Sequence, residues 1–179
     1  GRPAMRSVDR GLTWTPMPVI LTGEGDQTQE VSGLVVAPDD SGRVWAALDG
    51  GGVLESRDAG RSWRSIGLAG QPVRWLAAGV AEEGQPPLYA GVAEDGIYRF
   101  NGNSWTAVSD GLPVRSTILA LVADPRAPGL LWAARDGGGV YRSTDDGDQW
   151  ENVALGVGEN LAQSLAVDVS VPDGVLMGT

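Results

Sequence analysis

The sequence predicts an all-β propeller of four four-stranded blades, one of them split between the N- and C-termini. The first observation is the pattern Ser-x-Asp-x-Gly-x-x-Trp, here called the box, at residues 7–14, 56–63 and 143–150, with a shortened copy at 99–105. The second is the recurrence, every 42 to 49 residues, of the box tryptophans Trp14, Trp63, Trp105 and Trp150. The third is the set of short strand-like runs between boxes. This period with intervening strands is typical of propeller blades.

The third repeat shows the strands of one blade most clearly. Residues 118–125, 129–134, 139–143 and 149–153 are short runs bounded by Gly, Pro or Asp. We assign them as strands A to D of an antiparallel sheet, with A innermost. By alignment, residues 1–179 form a single propeller domain or propeller segment, with repeats at approximately 31–70, 71–112, 113–156, and 162–179 completed by 4–18.

The two ends of the chain are complementary in this alignment. Residues 162–179 supply strands A and B only, and residues 4–18 supply strands C and D. An open sheet edge promotes aggregation, and ring closure removes it. Three arrangements fit the pattern: a four-bladed ring closed within one chain, a segment of a larger propeller, and half-rings that associate as a homo-oligomer.

Each residue type in the box has a structural role in the hairpin between strands C and D. The Asp side chain can accept hydrogen bonds from N–H groups of its own turn, the Gly permits a left-handed bend, and the Trp packs beneath the hairpin. In the shortened copy Asn101 and Gly102 take the first two roles. The structural box residues are therefore Ser7, Asp9, Gly11, Trp14, Ser56, Asp58, Gly60, Trp63, Asn101, Gly102, Trp105, Ser143, Asp145, Gly147 and Trp150.

These residues resemble the Asp-box, or BNR repeat, of sialidases, sortilin-type receptors and photosystem II assembly factors of the Ycf48 type. The resemblance covers nearly the whole chain through four periodic copies. It implies a propeller whose boxes lie on the face opposite the usual active site, and an extracytoplasmic (secreted or periplasmic) location. Because such repeats serve hydrolases, lectins, receptors and assembly factors alike, the resemblance implies a fold without fixing one activity.

Composition excludes several kinds of chemistry. The chain has no Cys, no His and no Lys, so Cys/His zinc sites, His-based triads and Schiff-base chemistry are absent. A formal charge of −10 argues against nucleic acid as a partner. No apolar run approaches the roughly 20 residues of a membrane-spanning helix. We expect no cofactor and no bound metal, although residues 145–148 superficially resemble part of a calcium loop.

The sequence assigns no catalytic residue. A sialidase would need a tyrosine nucleophile, and Tyr89, Tyr98 and Tyr141 lie within regular strands at recurring positions, which indicates packing. The Arg-Ile-Pro signature of sialidases is also missing. We therefore interpret the chain first as a non-enzymatic protein-interaction or assembly module. The alternative is a carbohydrate-binding or glycoside-hydrolase-related propeller whose catalytic part lies outside this chain.

The candidate binding face is the one shared by the B–C and D–A loops, where the repeats differ. Arg74 and Arg115 are expected at equivalent positions of successive repeats, beside an aromatic, as in many protein interfaces. Pairing of these arginines with nearby acids such as Asp110 is an equally good interpretation. A protein partner is expected first and a glycan second. The candidate residues are Asp49, Arg74, Trp75, Asp95, Arg115, Arg135 and Asp136.

Overall fold

The computed structural model describes residues 4–17, 19, 30–81, 83–115, 117–153 and 162–179; residues 18, 82, 116 and 154–156 of the predicted repeats lie outside this part. The described residues contain sixteen β-strands and no helix. The strands are β1 (Ala4–Arg6), β2 (Thr15–Met17), β3 (Val31–Val36), β4 (Val44–Leu48), β5 (Gly52–Ser56), β6 (Arg64–Gly67), β7 (Val73–Ala78), β8 (Leu88–Val92), β9 (Gly96–Phe100), β10 (Trp105–Ala107), β11 (Ile118–Ala123), β12 (Leu131–Arg135), β13 (Val140–Ser143), β14 (Glu151–Asn152), β15 (Ser164–Asp168) and β16 (Gly174–Gly178).

Three complete blades follow one another along the chain. Strands β3 to β6, β7 to β10 and β11 to β14 form three antiparallel sheets, each paired in sequence order. The innermost strands β3, β7 and β11 pack side by side, and β15 packs beside β11. The all-β prediction and the order of strands A to D are confirmed.

The structure differs from the expected split blade. Strands β1–β2 and β15–β16 form two separate two-stranded sheets. The first packs on blade β3–β6, where Ala4 and Met17 join the apolar cluster of Leu54 and Trp63. The second packs on blade β11–β14, where Leu165 joins the cluster of Trp132. Three complete blades stand between the two half-blades, so their apolar faces are covered by different neighbours.

The core lies between the blades, and the second strand of each blade is buried along almost its whole length, as β5 also is in the first complete blade. Every residue of β4 and β8 is buried, as are the first four residues of β12. Strand B is flanked by strands A and C within its sheet and by neighbouring blades on both faces, so its residues form near-continuous apolar runs. Large aromatics occupy the equivalent position in all three blades: Trp45, Tyr89 and Trp132.

The boxes connect each blade to the one before it. The indole Nε1–H of Trp105 donates to the carbonyl of Ile66, and that of Trp150 donates to the carbonyl of Val108, both at 2.8 Å. These carbonyls belong to the outer part of the preceding blade. A methyl group added at Gly60 would overlap the side chain of Met17 in β2. Trp105 and Trp150 thus bridge two blades, whereas the sequence predicted only that the box tryptophan packs beneath its hairpin; the indole of Trp14 donates to Gly11 of its own box.

Hydrogen bonds within the hairpin hold each full box in shape. The Ser56 hydroxyl donates to Asp58 Oδ1 at 2.8 Å and accepts from the N–H of Gly60 at 2.8 Å. Asp58 also accepts from the N–H and hydroxyl of Ser62. The boxes at residues 7–14 and 143–150 repeat the first two contacts. In the shortened copy, Asn101 Oδ1 accepts from the N–H groups of Asn103 and Ser104.

Candidate functional site

Each innermost strand of the three complete blades carries a β-bulge near its start. The register slips between Val31 and Gly33, between Val73 and Trp75, and between Ile118 and Ala120. A bulge inserts one residue that has no partner across the ladder and re-aims side chains. The inserted residues are Ser32, Arg74 and Leu119, and all three line one groove.

The groove runs across the first residues of the innermost strands β3, β7 and β11 and has a volume of about 670 Å³. Trp75 lines it with 40% of its surface exposed. The hydroxyl of Ser32 donates to the carbonyl of Val73 at 2.7 Å, which ties the first two inner strands together at the groove floor. The complete lining is Glu30, Val31, Ser32, Asp49, Arg74, Trp75, Ala93, Glu94, Thr117, Ile118 and Leu119.

Acidic groups dominate the charge of the groove. Its lining contains three carboxylates, from Glu30, Asp49 and Glu94, and one guanidinium, from Arg74. Arg74 Nη2 lies 3.9 Å from Asp49 Oδ1, across the boundary between two blades, and both side chains are about half exposed. The arrangement combines an aromatic surface with several hydrogen-bond acceptors, which suits a ligand rich in hydroxyl donors.

The candidate residues from the sequence divide between three places. Asp49, Arg74 and Trp75 lie together in this groove. Asp95 and Arg115 line a neighbouring groove, and Glu94 borders both.

Of the remaining two candidates, Arg135 is the last residue of β12 and Asp136 begins the turn that follows it. The N–H of Asp136 donates to the carbonyl of Thr117 at 2.8 Å. Arg135 Nε donates to the carbonyl of Asp136, also at 2.8 Å. These two residues support the groove wall through Thr117 and are not part of its lining.

The expected equivalence of Arg74 and Arg115 is wrong. Val73 pairs with Val92, and Ile118 pairs with Arg135, at matching points of successive blades. The residue equivalent to Arg74 is therefore Leu119. Arg115 precedes β11, in a left-handed turn with φ of 57°.

Sequence reasoning missed Glu30, Ser32 and Thr117 as groove residues. The signal available for Ser32 was Gly33, because a glycine inside a strand often marks a bulge. No comparable signal accompanies Glu30 or Thr117, which reach the groove only through the packing of neighbouring blades.

Tyr89 and Tyr98 each donate a hydrogen bond to a carboxylate of the protein. The hydroxyl of Tyr89 donates to Asp146 Oδ1 of the next blade at 2.6 Å. Burial, followed by this hydrogen bond, raises the pKa of Tyr89 well above its usual range, so the phenol stays protonated. Tyr98 donates to Asp95 Oδ2 at 2.6 Å. These contacts agree with the interpretation of the tyrosines as packing residues.

The described residues include neither a membrane-spanning helix nor a cluster of metal-binding side chains. Among them, no helix has the length and apolar character needed to cross a bilayer. Across the same residues, no three acidic side chains are grouped closely enough to hold a metal ion.

Two curated relatives are xyloglucan-degrading enzymes of fungi. The chain is 28% identical over 145 residues to a probable oligoxyloglucan-reducing end-specific xyloglucanase of Neosartorya fischeri, an alignment that covers 75% of this chain and 18% of the relative. It is 28% identical over 112 residues to the oligoxyloglucan-reducing end-specific xyloglucanase of Emericella nidulans, covering 56% of this chain and 14% of that protein. The chain thus spans less than a fifth of the length of these relatives. No family model matches the chain.

Solved structures of two kinds share the fold. The GH74 xyloglucanase of Xanthomonas campestris superimposes with a TM-score of 0.72 at 18% identity, covering 98% of this chain and 32% of that one. YCF48 of Cyanidioschyzon merolae superimposes with a TM-score of 0.60 at 16% identity over 79% of this chain and 48% of that one. The chain is a β-propeller. A structure of YCF48 bound to D1 peptide also matches this propeller, with a TM-score of 0.52 at 16% identity, over 86% of this chain and 52% of that one.

Proposed function

We propose that this chain is part of a carbohydrate-active propeller related to glycoside hydrolases, and that its bulge-lined groove contacts a neutral glycan. The supporting observation is the similarity to xyloglucanases over three quarters of the chain. This similarity favours the carbohydrate-related alternative over the interaction module that the sequence favoured. An extracytoplasmic location remains an expectation that accompanies the Asp-box resemblance.

The chemistry of the groove supports a sugar ligand. The partly exposed ring of Trp75 offers an apolar surface to the C–H face of a sugar ring, while the indole N–H can remain hydrogen-bonded to water. Carboxylates of Glu30, Asp49 and Glu94 can accept hydrogen bonds from sugar hydroxyls, and such charge-assisted bonds are the stronger kind. The net negative lining disfavours sialic or uronic acids because like charges repel. A neutral polysaccharide is therefore the proposed ligand class.

We assign binding, and no catalytic step, to the described residues. Most glycoside hydrolases use two carboxyl groups that flank the scissile bond. Among the groove carboxylates, Asp49 lies 3.9 Å from Arg74 Nη2, a contact that suits this pair to holding a ligand. The proposed contribution of this chain is to hold part of a polysaccharide, with the reacting carboxyl groups supplied from outside the described residues.

Calorimetric titration with xyloglucan oligosaccharides tests this function. Trp75→Ala should weaken binding about tenfold or more, because removal of a stacking aromatic costs on the order of 1–3 kcal/mol. Trp75→Phe should retain part of the affinity. Trp14→Ala is the matched control, since Trp14 is more exposed and lies outside the groove. A folded protein that binds no neutral glycan, or whose affinity is unchanged in Trp75→Ala, would overturn the proposal and return the interaction module to first place.

A further inference from the structure

A second concavity lies at the opposite end of the strands from the groove. This concavity, here called the notch, has a volume of about 560 Å³. Its walls are the loops between the first and second strands of the three complete blades, together with the boxes of the second and third of these blades. The groove lies where the inner strands begin, so the notch lies beyond their other end. Among the described residues, the two half-blades contribute nothing to its lining.

The shortened box of the second complete blade leaves the notch open. In the first complete blade the N–H of Ala59 in the box donates to the carbonyl of Gly42 at 2.8 Å, and in the third the N–H of Asp146 donates to the carbonyl of Gly129 at 3.1 Å. These hydrogen bonds close each box onto the loop between the first two strands. The shortened box lacks two residues, and within the described part of the chain it makes no such hydrogen bond to its own loop.

The shortening also removes a carboxylate. The hydroxyl of Tyr89 donates to Asp146 Oδ1 in the full-length box of the next blade at 2.6 Å. Trp45 occupies the equivalent position one blade earlier, but the box that follows it has no acidic residue between positions 100 and 105. The indole Nε1 of Trp45 is buried and has no hydrogen-bond partner among the described residues.

Arg43 brings further unpaired donors to the same place. Its side chain lines the notch and is only 9% exposed. The Nε of Arg43 donates to Glu55, and its guanidinium lies over the Trp45 ring. In the described part of the chain its terminal nitrogens Nη1 and Nη2 donate no hydrogen bond. Buried donors are normally paired, and the planar fork of a guanidinium matches the two oxygens of a carboxylate.

The charge beside Arg43 favours an anion. One buried carboxylate, that of Glu55, contacts the guanidinium groups of Arg43, Arg57 and Arg64, so this cluster has a formal charge of +2. An incoming carboxylate would therefore meet an excess of positive charge on this side of the notch.

The other side of the notch is more acidic. Asp145 and Asp146 of the third complete blade line it, as does Glu83 in the loop of the second. Arg99 also lines the notch, but its Nη1 lies 3.0 Å from Asp148 Oδ1. These acids favour a ligand with a single negative charge over a phosphate, because like charges repel.

We propose that the notch binds the carboxylate group of a small organic acid, which accepts hydrogen bonds from Nη1 and Nη2 of Arg43. The bound carboxylate lies on the side of the shortened box that faces Trp45, as the carboxylate of Asp146 faces Tyr89 one blade later. This ligand differs in charge from the neutral glycan of the groove and binds at the opposite end of the strands.

Acetate is the probe, and the indole N–H of Trp45 is the reporter, because that ring contacts Arg43. The chain has seven tryptophans, so NMR spectra of the indole N–H groups are simple, and the Trp45→Phe variant assigns the reporter resonance. Titration with sodium acetate should shift this resonance with saturation and leave that of Trp14 unchanged. Acetamide, which is uncharged, and sodium chloride at equal ionic strength should produce no saturable shift.

Two variants test the contacts. Arg43→Lys keeps a positive charge beside Glu55 but removes the paired donors, so acetate should bind about tenfold more weakly. Arg142→Lys is the matched control, since Arg142 pairs with Glu151 outside the notch, and its affinity for acetate should not change. In the second variant, the sequence of residues 143–150 replaces residues 100–105. This full-length box supplies carboxylates from the chain itself, so acetate binding should be lost while the blade folds as the third blade does.

Four results would refute the carboxylate site. They are the absence of a saturable shift with acetate, an equal shift with acetamide or chloride, equally tight binding of inorganic phosphate, and unchanged acetate affinity when the box is lengthened. The groove does not enter these measurements, and Trp75→Ala should bind acetate as the unmodified chain does. Failure here is therefore distinguishable from failure of the proposed function.

Discussion

At the scale of single residues, Glu55 in β5 is a charge held entirely inside the protein. Its side chain has no exposed surface, and it accepts hydrogen bonds from Arg43 at 2.7 Å, from Arg57 at 3.2 Å, and from Arg64. Arg43 is itself buried, and its guanidinium lies 4.6 Å from the centre of the Trp45 ring. Burial opposes ionisation of Glu55, but the hydrogen bonds from Arg64 and Arg43 outweigh it, so the pKa lies below its ordinary value.

Replacing Glu55 with Gln should lower the free energy of unfolding by about 3 kcal/mol, because the buried Arg43 loses its counter-charge. The matched control is Glu151→Gln. Glu151 faces Arg142 at the equivalent strand pair of another blade with the charges exchanged, and its side chain is 60% exposed. An exposed pair contributes about 0–1 kcal/mol. Urea titration measures both effects, and equal losses would contradict the role of burial.

At the scale of elements, the box stabilises the hairpin between the third and fourth strands of a blade through hydrogen bonds to ionised aspartates. Hydrogen bonds from the hydroxyl and N–H of Ser62, then from Ser56, lower the pKa of Asp58 from 3.8 to about 2. Contacts from Thr13 and Ser7 lower the pKa of Asp9 to about 2 in the same way. The pKa of Asp145 is also lowered, mainly by the N–H of Gln149.

These shifts predict acid-sensitive stability. A carboxyl group whose pKa is lower in the folded state binds more protons when unfolded, so its stabilising contribution is complete above about pH 4 and is lost as the pH falls toward 2. The melting temperature should therefore decrease across this interval. Asp58→Asn should flatten the dependence, because the amide cannot exchange a proton there. An identical pH profile for wild type and Asp58→Asn would contradict this role of the box.

The element scale also shows how far the sequence can predict the structure. In the third repeat, the predicted first strand at residues 118–125 begins where β11 begins and exceeds it by two residues, and the predicted third strand at residues 139–143 exceeds β13 by one residue, since Pro and Gly mark these ends locally. The predicted outer strand at residues 149–153 shortens to β14 because it pairs along one edge only. The hydrogen-bond acceptor of the Trp150 indole could not be predicted, because the carbonyl of Val108 belongs to another blade, 42 residues away in the chain.

The candidate site was predictable only in part. Trp75 and Arg74 stand out as an exposed aromatic and a cation at a strand start, and the structure places both in the groove with Asp49. Alternation along a strand assigns each residue to one face, and a bulge breaks that rule at one position. The contributions of Ser32 and Leu119 follow from that break and from the alignment of three blades. Neither is encoded by a local pattern.

At the scale of the whole molecule, the main contacts between blades in the described part of the chain join neighbouring blades, so stability depends on the surfaces between them. One such contact is the approach of Gly111 to the backbone of Trp150 in the next blade. Asp110 strengthens the same contact, since its carbonyl accepts the N–H of Trp150 at 2.8 Å. The chain between two blades thus packs directly against the box that follows it.

Gly111→Ala tests this surface. A methyl group at position 111 would overlap the carbonyl of Trp150, and the residue has φ of 93°, so we expect a loss of more than about 2 kcal/mol in the free energy of unfolding. Gly50→Ala is the matched control. Gly50 has φ of 78° with no atom nearby, so only the conformational cost of roughly 1–2 kcal/mol applies. Equal losses in thermal unfolding would show that the contact between blades contributes little.

The three bulges also have a consequence for how such a protein can diversify. Ser32, Arg74 and Leu119 have no partner across their ladders, so substitution at these positions leaves the strand pairing on either side intact. A polar, a cationic and an apolar side chain already occupy the three positions on one scaffold. The bulges thereby separate the choice of ligand from the maintenance of the fold. A library randomised at Arg74 and Leu119, with Ser32 kept because its hydroxyl joins two inner strands, should consist largely of folded proteins that differ in what they bind.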